Sequence, residues 1–208
     1  MVFTTLNKIL SLPPSQTAWE NLLRSLNKTD SDDELISLVQ LVHISGLHFT
    51  LECCQLIPEF DKHWRLYAVW CARQVAWSSQ YKNGTLAIAL AERFANGQAT
   101  QEEFEEEKEM QLLRSYSEMH SNGAPVKTAA ATIHKIAGLA AQTTAASAAA
   151  GIAHQAGIRA RVALPMTGDE LVDACNLAGA YDSAVYDAYA SARKAQEKEF
   201  IRLVTALK

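Results

Sequence analysis

The chain has 208 residues, a formal net charge of −4 and 49% hydrophobic residues. That length allows one large domain with a real core, and that composition excludes a disordered chain. The mild acidity removes any global electrostatic attraction to nucleic acid or to an anionic membrane surface.

Helical periodicity runs through nearly the whole sequence, and its breakers divide it. The spacing predicts a short first helix from Val2 to Ser11, ended at Pro13 and Pro14, because proline lacks an N–H and clashes with the preceding turn. Ser15 suits the cap of a second helix, with Trp19, Leu22, Leu23 and Leu26 at helical spacing. Ser31 and Glu34 have the spacing of a capping box for a third helix bearing Leu35, Leu38, Val39 and Val42, with Gly46 as its stop. A fourth is expected from Leu47 to Ile57, before Pro58. Asp61 suits the cap of a fifth, Lys62 to Trp77, which holds Trp64, Tyr67, Trp70 and Trp77. Apolar residues cover much of its circumference, so it is the expected central core helix.

The next helix is expected from Thr85 to Ala95, closed by Asn96-Gly97 in the manner of an αL cap. Thr100 and Glu103 form a second capping box, opening a helix from Gln101 to His120 whose first turns are densely acidic. The break at 121–125 is where a sub-boundary of the single domain 1–208 would fall. From Lys127 to Ala163 the chain is rich in alanine, the best helix former, and Ala140 to Gly151 carries no charge and no large side chain. Such a stretch lets another helix approach closely. Gly151 and Gly157 leave its continuity open. Thr167 and Glu170 make a third capping box for a final helix from Asp169 to Leu207, with Gly179 as the point where a kink would form. The expected fold is all-α: a multi-helix bundle or irregular helical array of about eight or nine helices, with long C-terminal helices.

Little of this sequence has the spacing of a chemical site. Cys53, Cys54, Cys71 and Cys175 match no zinc pattern and read as thiols acting as small buried hydrophobes. Reduced thiols fit a cytoplasmic location. No signal-peptide pattern occupies Met1 to Leu12, and no apolar run approaches the roughly 18 residues of a membrane span. His43 and His48 are five apart, whereas zinc helices use i, i+4. There is no Gly-x-Ser-x-Gly and no glycine-rich phosphate loop. No catalytic residue, metal or cofactor is expected. Arg65 and Arg73, on the aromatic helix, have the reach to bond a neighbouring helix end or to pair with Glu92.

Two neighbouring segments do carry a resemblance. The first is Arg65-Leu66-Tyr67-Ala68-Val69-Trp70-Cys71-Ala72-Arg73-Gln74-Val75. The second runs from Leu86 to Glu103 and contains Ala91-Glu92-Arg93-Phe94-Ala95-Asn96-Gly97-Gln98-Ala99-Thr100-Gln101-Glu102-Glu103. Together they resemble an uncharacterised family of bacterial and phage helical proteins. In that family an aromatic, cysteine-bearing helix precedes an A-E-R-x-A-[ND]-G-x-A-[ST]-x-E-E segment, and an alanine-rich stretch follows. Some members are loosely similar to immunity proteins of toxin systems. The resemblance implies a helical fold and brings no activity and no catalytic residues. The sequence departs from the family in the gap, Gln80-Tyr81-Lys82-Asn83-Gly84, and in lacking Ala-Trp repeats.

A chain without catalytic spacing is expected to work by binding. Residues 102–120 are predominantly acidic, while 121–168 carry bases and no acid. Antiparallel packing of these two segments would explain the asymmetry internally. An acidic docking face for a protein partner, centred on Glu102, Glu105, Glu106 and Glu109, is the sharper expectation. It suits a phage- or bacterium-encoded modulator or immunity-like factor. The alternative is a self-assembling scaffold component joined through the small-residue face of Ala141, Ala145 and Ala149. An enzyme with an unrecognised site is the third reading.

Overall fold

The computed structural model describes residues 1–76, 82–107, 135 and 137–207. They form an all-α array with one minimal sheet: β1 (Phe3–Thr4), α1 (Leu6–Leu10), α2 (Gln16–Ser25), β2 (Ile36–Ser37), α3 (Leu38–Cys53), α4 (Asp61–Ala76), α5 (Lys82–Ala95), α6 (101–107), α7 (Ala137–Ala163) and α8 (Glu170–Ala206). Two single-turn 3₁₀ segments, Cys54–Leu56 and Pro58–Phe60, lead from α3 into α4.

The first helix starts later than periodicity predicts. Residues 3–4 are extended and pair antiparallel with β2, Phe3 opposite Ser37 and Thr4 opposite Ile36. The β-branched Val2, Thr4, Thr5 and Ile36 favour extended backbone, and Val2 and Thr4 are buried by it. Thr5 then caps α1 by accepting from the Lys8 N–H at 3.2 Å. The Ser31–Glu34 box does not form either. Glu34 is drawn to Lys28 at 2.7 Å, and its N–H donates to Asp32 Oδ1 at 3.2 Å. The helix begins at Leu38 instead, with Ser37 Oγ accepting from the Gln40 N–H at 3.1 Å. Gly46, at φ 79° and ψ 166°, breaks α3 where expected, and the chain resumes helix at once.

Other punctuation lies where the sequence puts it. Ser15 Oγ accepts from the Ala18 N–H at 3.3 Å. Gly97 takes φ +70°, its N–H donates to Phe94 O at 3.0 Å, and the Gln98 N–H reaches Arg93 O at 2.8 Å. That pair of bonds is the Schellman ending. Thr100 and Glu103 then exchange backbone and side-chain bonds at 2.8 and 3.2 Å.

The centre of the molecule is α4, α7 and α8. Helix α4 belongs to both hydrophobic cores. Its Trp64, Tyr67, Cys71 and Val75 join the larger one, which takes in α1, α2, α3 and the C-terminal end of α8. Its Ala68, Val69 and Ala72 join the smaller one with Ile88, Ala91, Phe104 and Ala140. Trp64 is fully buried, with its indole N–H satisfied by Ile57 O at 3.1 Å, and it stacks on Phe200. Burying each such ring contributes about 1.5–3 kcal/mol.

Helix α7 runs unbroken through Gly151 and Gly157. It is buried on more than one side because it packs against both α4 and α8. Large side chains would hold those two helices apart, which is why this segment is alanine. Its hairpin with α8 is locked at the turn. Thr167 is not a cap for Glu170: Asp169 caps α8, accepting from the N–H groups of Leu171 and Val172. The buried Asp173 carboxylate instead takes Thr167, accepting from its N–H at 2.8 Å and its hydroxyl at 2.7 Å, and from the Gly168 N–H at 3.1 Å. Helix α8 passes Gly179 without interruption and is roughly 55 Å long at 1.5 Å per residue. No helix among the described residues is long and apolar enough to cross a membrane.

Candidate interaction surfaces

The segment that carries the family resemblance folds into a corner. The Schellman turn and the capping box lead α5 into α6, stacked rings join the two, and the corner docks on α4 through Arg65, Ala68, Val69 and Ala72. Phe94 and Phe104 lie 4.2 Å apart and 12° from parallel. The Arg65 guanidinium of α4 sits over both, at 5.0 and 5.2 Å from their centroids, and donates to Lys135 O at 3.1 Å. Burial pushes the Arg65 guanidinium down from its ordinary value, while Asp61 and Glu105 hold it up. Arg93 donates to Gln98 O at 3.1 Å and pairs with Glu103 at 3.3 Å. Arg73 pairs with Glu92, joining α4 to α5. The pairing with Glu92 expected from the sequence therefore occurs, through Arg73, while Arg65 bonds a carbonyl just ahead of α7 rather than at a helix end. The Arg73–Glu92 pair is half exposed, however, so it contributes no more than about 1 kcal/mol rather than the larger loss attached to a buried pair.

The acidic positions separate into two groups. Glu102 and Glu106 are exposed on α6. Glu105 is half-buried and interacts with Arg65. Glu103 serves the corner, and the Thr100 N–H, then Arg93, hold its carboxyl below the usual range. Glu109 lies outside the described residues, as do 121–125 and most of the acidic segment 102–120 expected to pack against 121–168. The surface expected of Ala141, Ala145 and Ala149 is not there: all three are fully buried inside the folded chain. Their small size is used against neighbouring helices of the same chain.

The sequence suggests four buried thiols, and three of them are buried. Burial pushes Cys53 and Cys71 up to about 12 and Cys54 well above its ordinary value. Cys175 is exposed. Among the described residues no three His, Cys, Asp or Glu side chains converge as a metal site.

A polar knot and a cleft were not legible in the sequence. Gln196, one polar residue among many on α8, is buried: its amide donates to Ala145 O at 2.8 Å and accepts from Arg193 at 3.0 Å. The Tyr67 hydroxyl donates to Gln196 O at 3.0 Å. A cleft of about 290 Å³ lies between α4, α5 and the C-terminal part of α8, and its lining includes the half-buried Trp70, stacked on the buried Tyr67. Leu66, Val69 and Leu203 wall it. The Arg73–Glu92 pair borders it, and so does Glu199, which accepts two bonds from Arg202 at 2.7 and 2.8 Å. The only sequence signal for this cleft is aromatic and arginine residues on one helix, and nothing local says that α8 returns to face them. Comparison with known proteins finds no matching family model, no similar curated protein and no similar solved structure.

Proposed function

We propose that this chain is a non-enzymatic helical protein-interaction module that presents the acidic face of α6 to a protein partner. One observation carries the reading. Phe104 fixes α6 under Arg65 and against Phe94, while Glu102 and Glu106 remain exposed on the same helix. Carboxylates held on an anchored element lose little freedom on binding, so they favour a basic partner surface more than mobile ones would. An immunity-like or modulator role fits a module of this kind.

The test is charge reversal at the two exposed positions, Glu102→Lys with Glu106→Lys, with folding checked by circular dichroism. Affinity capture from host lysate should lose its specific partner in the double variant and keep it in a Lys194→Glu control on α8. Capture that is unchanged by the double reversal would rule the acidic face out. The scaffold alternative has no surface at Ala141, Ala145 and Ala149 through which to act in this fold.

A further inference from the structure

The cleft between α4, α5 and α8 is built differently from the acidic face, and its reading does not rest on that face. Its aromatic floor is the half-buried Trp70, which lies nearly parallel at 6.2 Å to the buried Tyr67 ring behind it, whose hydroxyl is turned away to Gln196 O. Its walls are aliphatic. Among the described residues its charged lining is a rim of two arginines and two glutamates, Arg73, Arg202, Glu92 and Glu199. Arg73 commits one terminal nitrogen to Glu92, and Arg202 commits Nε and Nη2 to Glu199. A guanidinium has five N–H donors, so both arginines retain donors for an incoming carboxylate. Each glutamate likewise keeps lone pairs for an ammonium group.

We propose that this cleft binds a small zwitterion bearing an apolar or aromatic side chain, an α-amino acid being the simplest of the class. The side chain lies on Trp70, which the buried Tyr67 ring backs. The carboxylate takes the unused donors of Arg73 and Arg202, and the ammonium takes Glu92 and Glu199. The rim selects for both charges together. An anion alone meets two carboxylates as well as two arginines, and a cation alone meets the reverse. An uncharged ligand gains only the floor. The rim pairs are solvated enough to reorient at small cost, because half-exposed ion pairs are weak. A volume near the lower end of the ligand-pocket range suits a ligand of amino-acid size.

The experiment is isothermal titration of the full chain with four probes that share one side chain. They are L-phenylalanine, its amide (cation), its N-acetyl derivative (anion) and N-acetyl-phenylalaninamide (neutral). Phenylalanine should bind at least about tenfold tighter than any blocked form. Arg73→Gln with Arg202→Gln should erase its advantage over the amide, and Trp70→Ala should weaken the neutral probe as well. The four-probe comparison on the unaltered chain decides the matter even if a variant folds poorly. Equal affinity for all four, or no saturable binding below about 10 mM, overturns the proposal.

Discussion

Adding one methyl group to Gly157 would place its Cβ 2.5 Å from Tyr181 Cε2 and 2.7 Å from Val185 Cγ2. Adding one to Gly179, on the partner helix of the same hairpin, would meet nothing within 4 Å. Both glycines read in the sequence as helix interruptions, and neither interrupts. At Gly157, α7 and α8 lie too close to leave room for a Cβ. Gly157→Ala should therefore destabilise by about 1–3 kcal/mol through overpacking. Gly179→Ala should stabilise by about 0.5–1 kcal/mol, because it removes unfolded-state freedom from a helix interior. Urea denaturation of the two variants checks the pair, and effects of the same sign would refute the packing account. Sequence could mark both residues as permissive but could not say which one faces a tyrosine.

Capping signals show the same limit at the level of the element. Three Ser/Thr-x-x-Glu pairs read as capping boxes in the sequence, and the one at Thr100–Glu103 forms. At Ser31 the glutamate finds Lys28, and at Thr167 the hydroxyl finds Asp173. Each competing partner lies within a few residues, but in a turn whose path the pattern does not specify. Asp173 makes a pH-dependent clasp of that turn. The Thr167 N–H and hydroxyl, with the Gly168 N–H, hold its carboxyl below the usual range. A group whose folded pKa is depressed contributes stability that is complete above its unfolded pKa and is lost as pH falls through the folded value. Asp173→Ala should thus lower the urea midpoint at neutral pH, and its difference from the unaltered chain should shrink in acid, below the ordinary carboxylate range. A difference that persists unchanged in acid would show that the clasp does not act through the ionised carboxylate.

Across the whole molecule, stability should be uneven along α8. Its buried residues are Asp173 at the turn and then Ala192, Gln196, Phe200 and Val204 within the main core. Between 174 and 191 every residue is at least partly exposed, and Tyr186 is 76% exposed. The outer hairpin therefore has little burial to oppose local opening, whereas the inner part is held by Trp64, Tyr67 and the Gln196 knot. Hydrogen exchange followed by mass spectrometry should show strong protection over 192–204 and weaker protection over 174–190. Equal protection along the helix would mean that the hairpin opens only with global unfolding.

The amino-acid sequence by itself determined the helical class, the breaks at Gly46 and Gly97, the Thr100–Glu103 start and the central place of the Trp64–Tyr67 helix. Each follows from short-range chemistry: backbone conformation, capping within four residues, or the apolar content of one helix. Tertiary structure alone decided which partners those elements meet. The extended start at Phe3–Thr4 needs Ile36–Ser37 beside it. The alanine face of α7 is consumed because α4 and α8 close on it, and the aromatic cleft exists because Glu199 and Arg202 come back to α4 from more than a hundred residues away. Contacts at that sequence distance leave no periodic or spacing signal in a single chain, because any residue of the right chemistry on the returning helix would look the same.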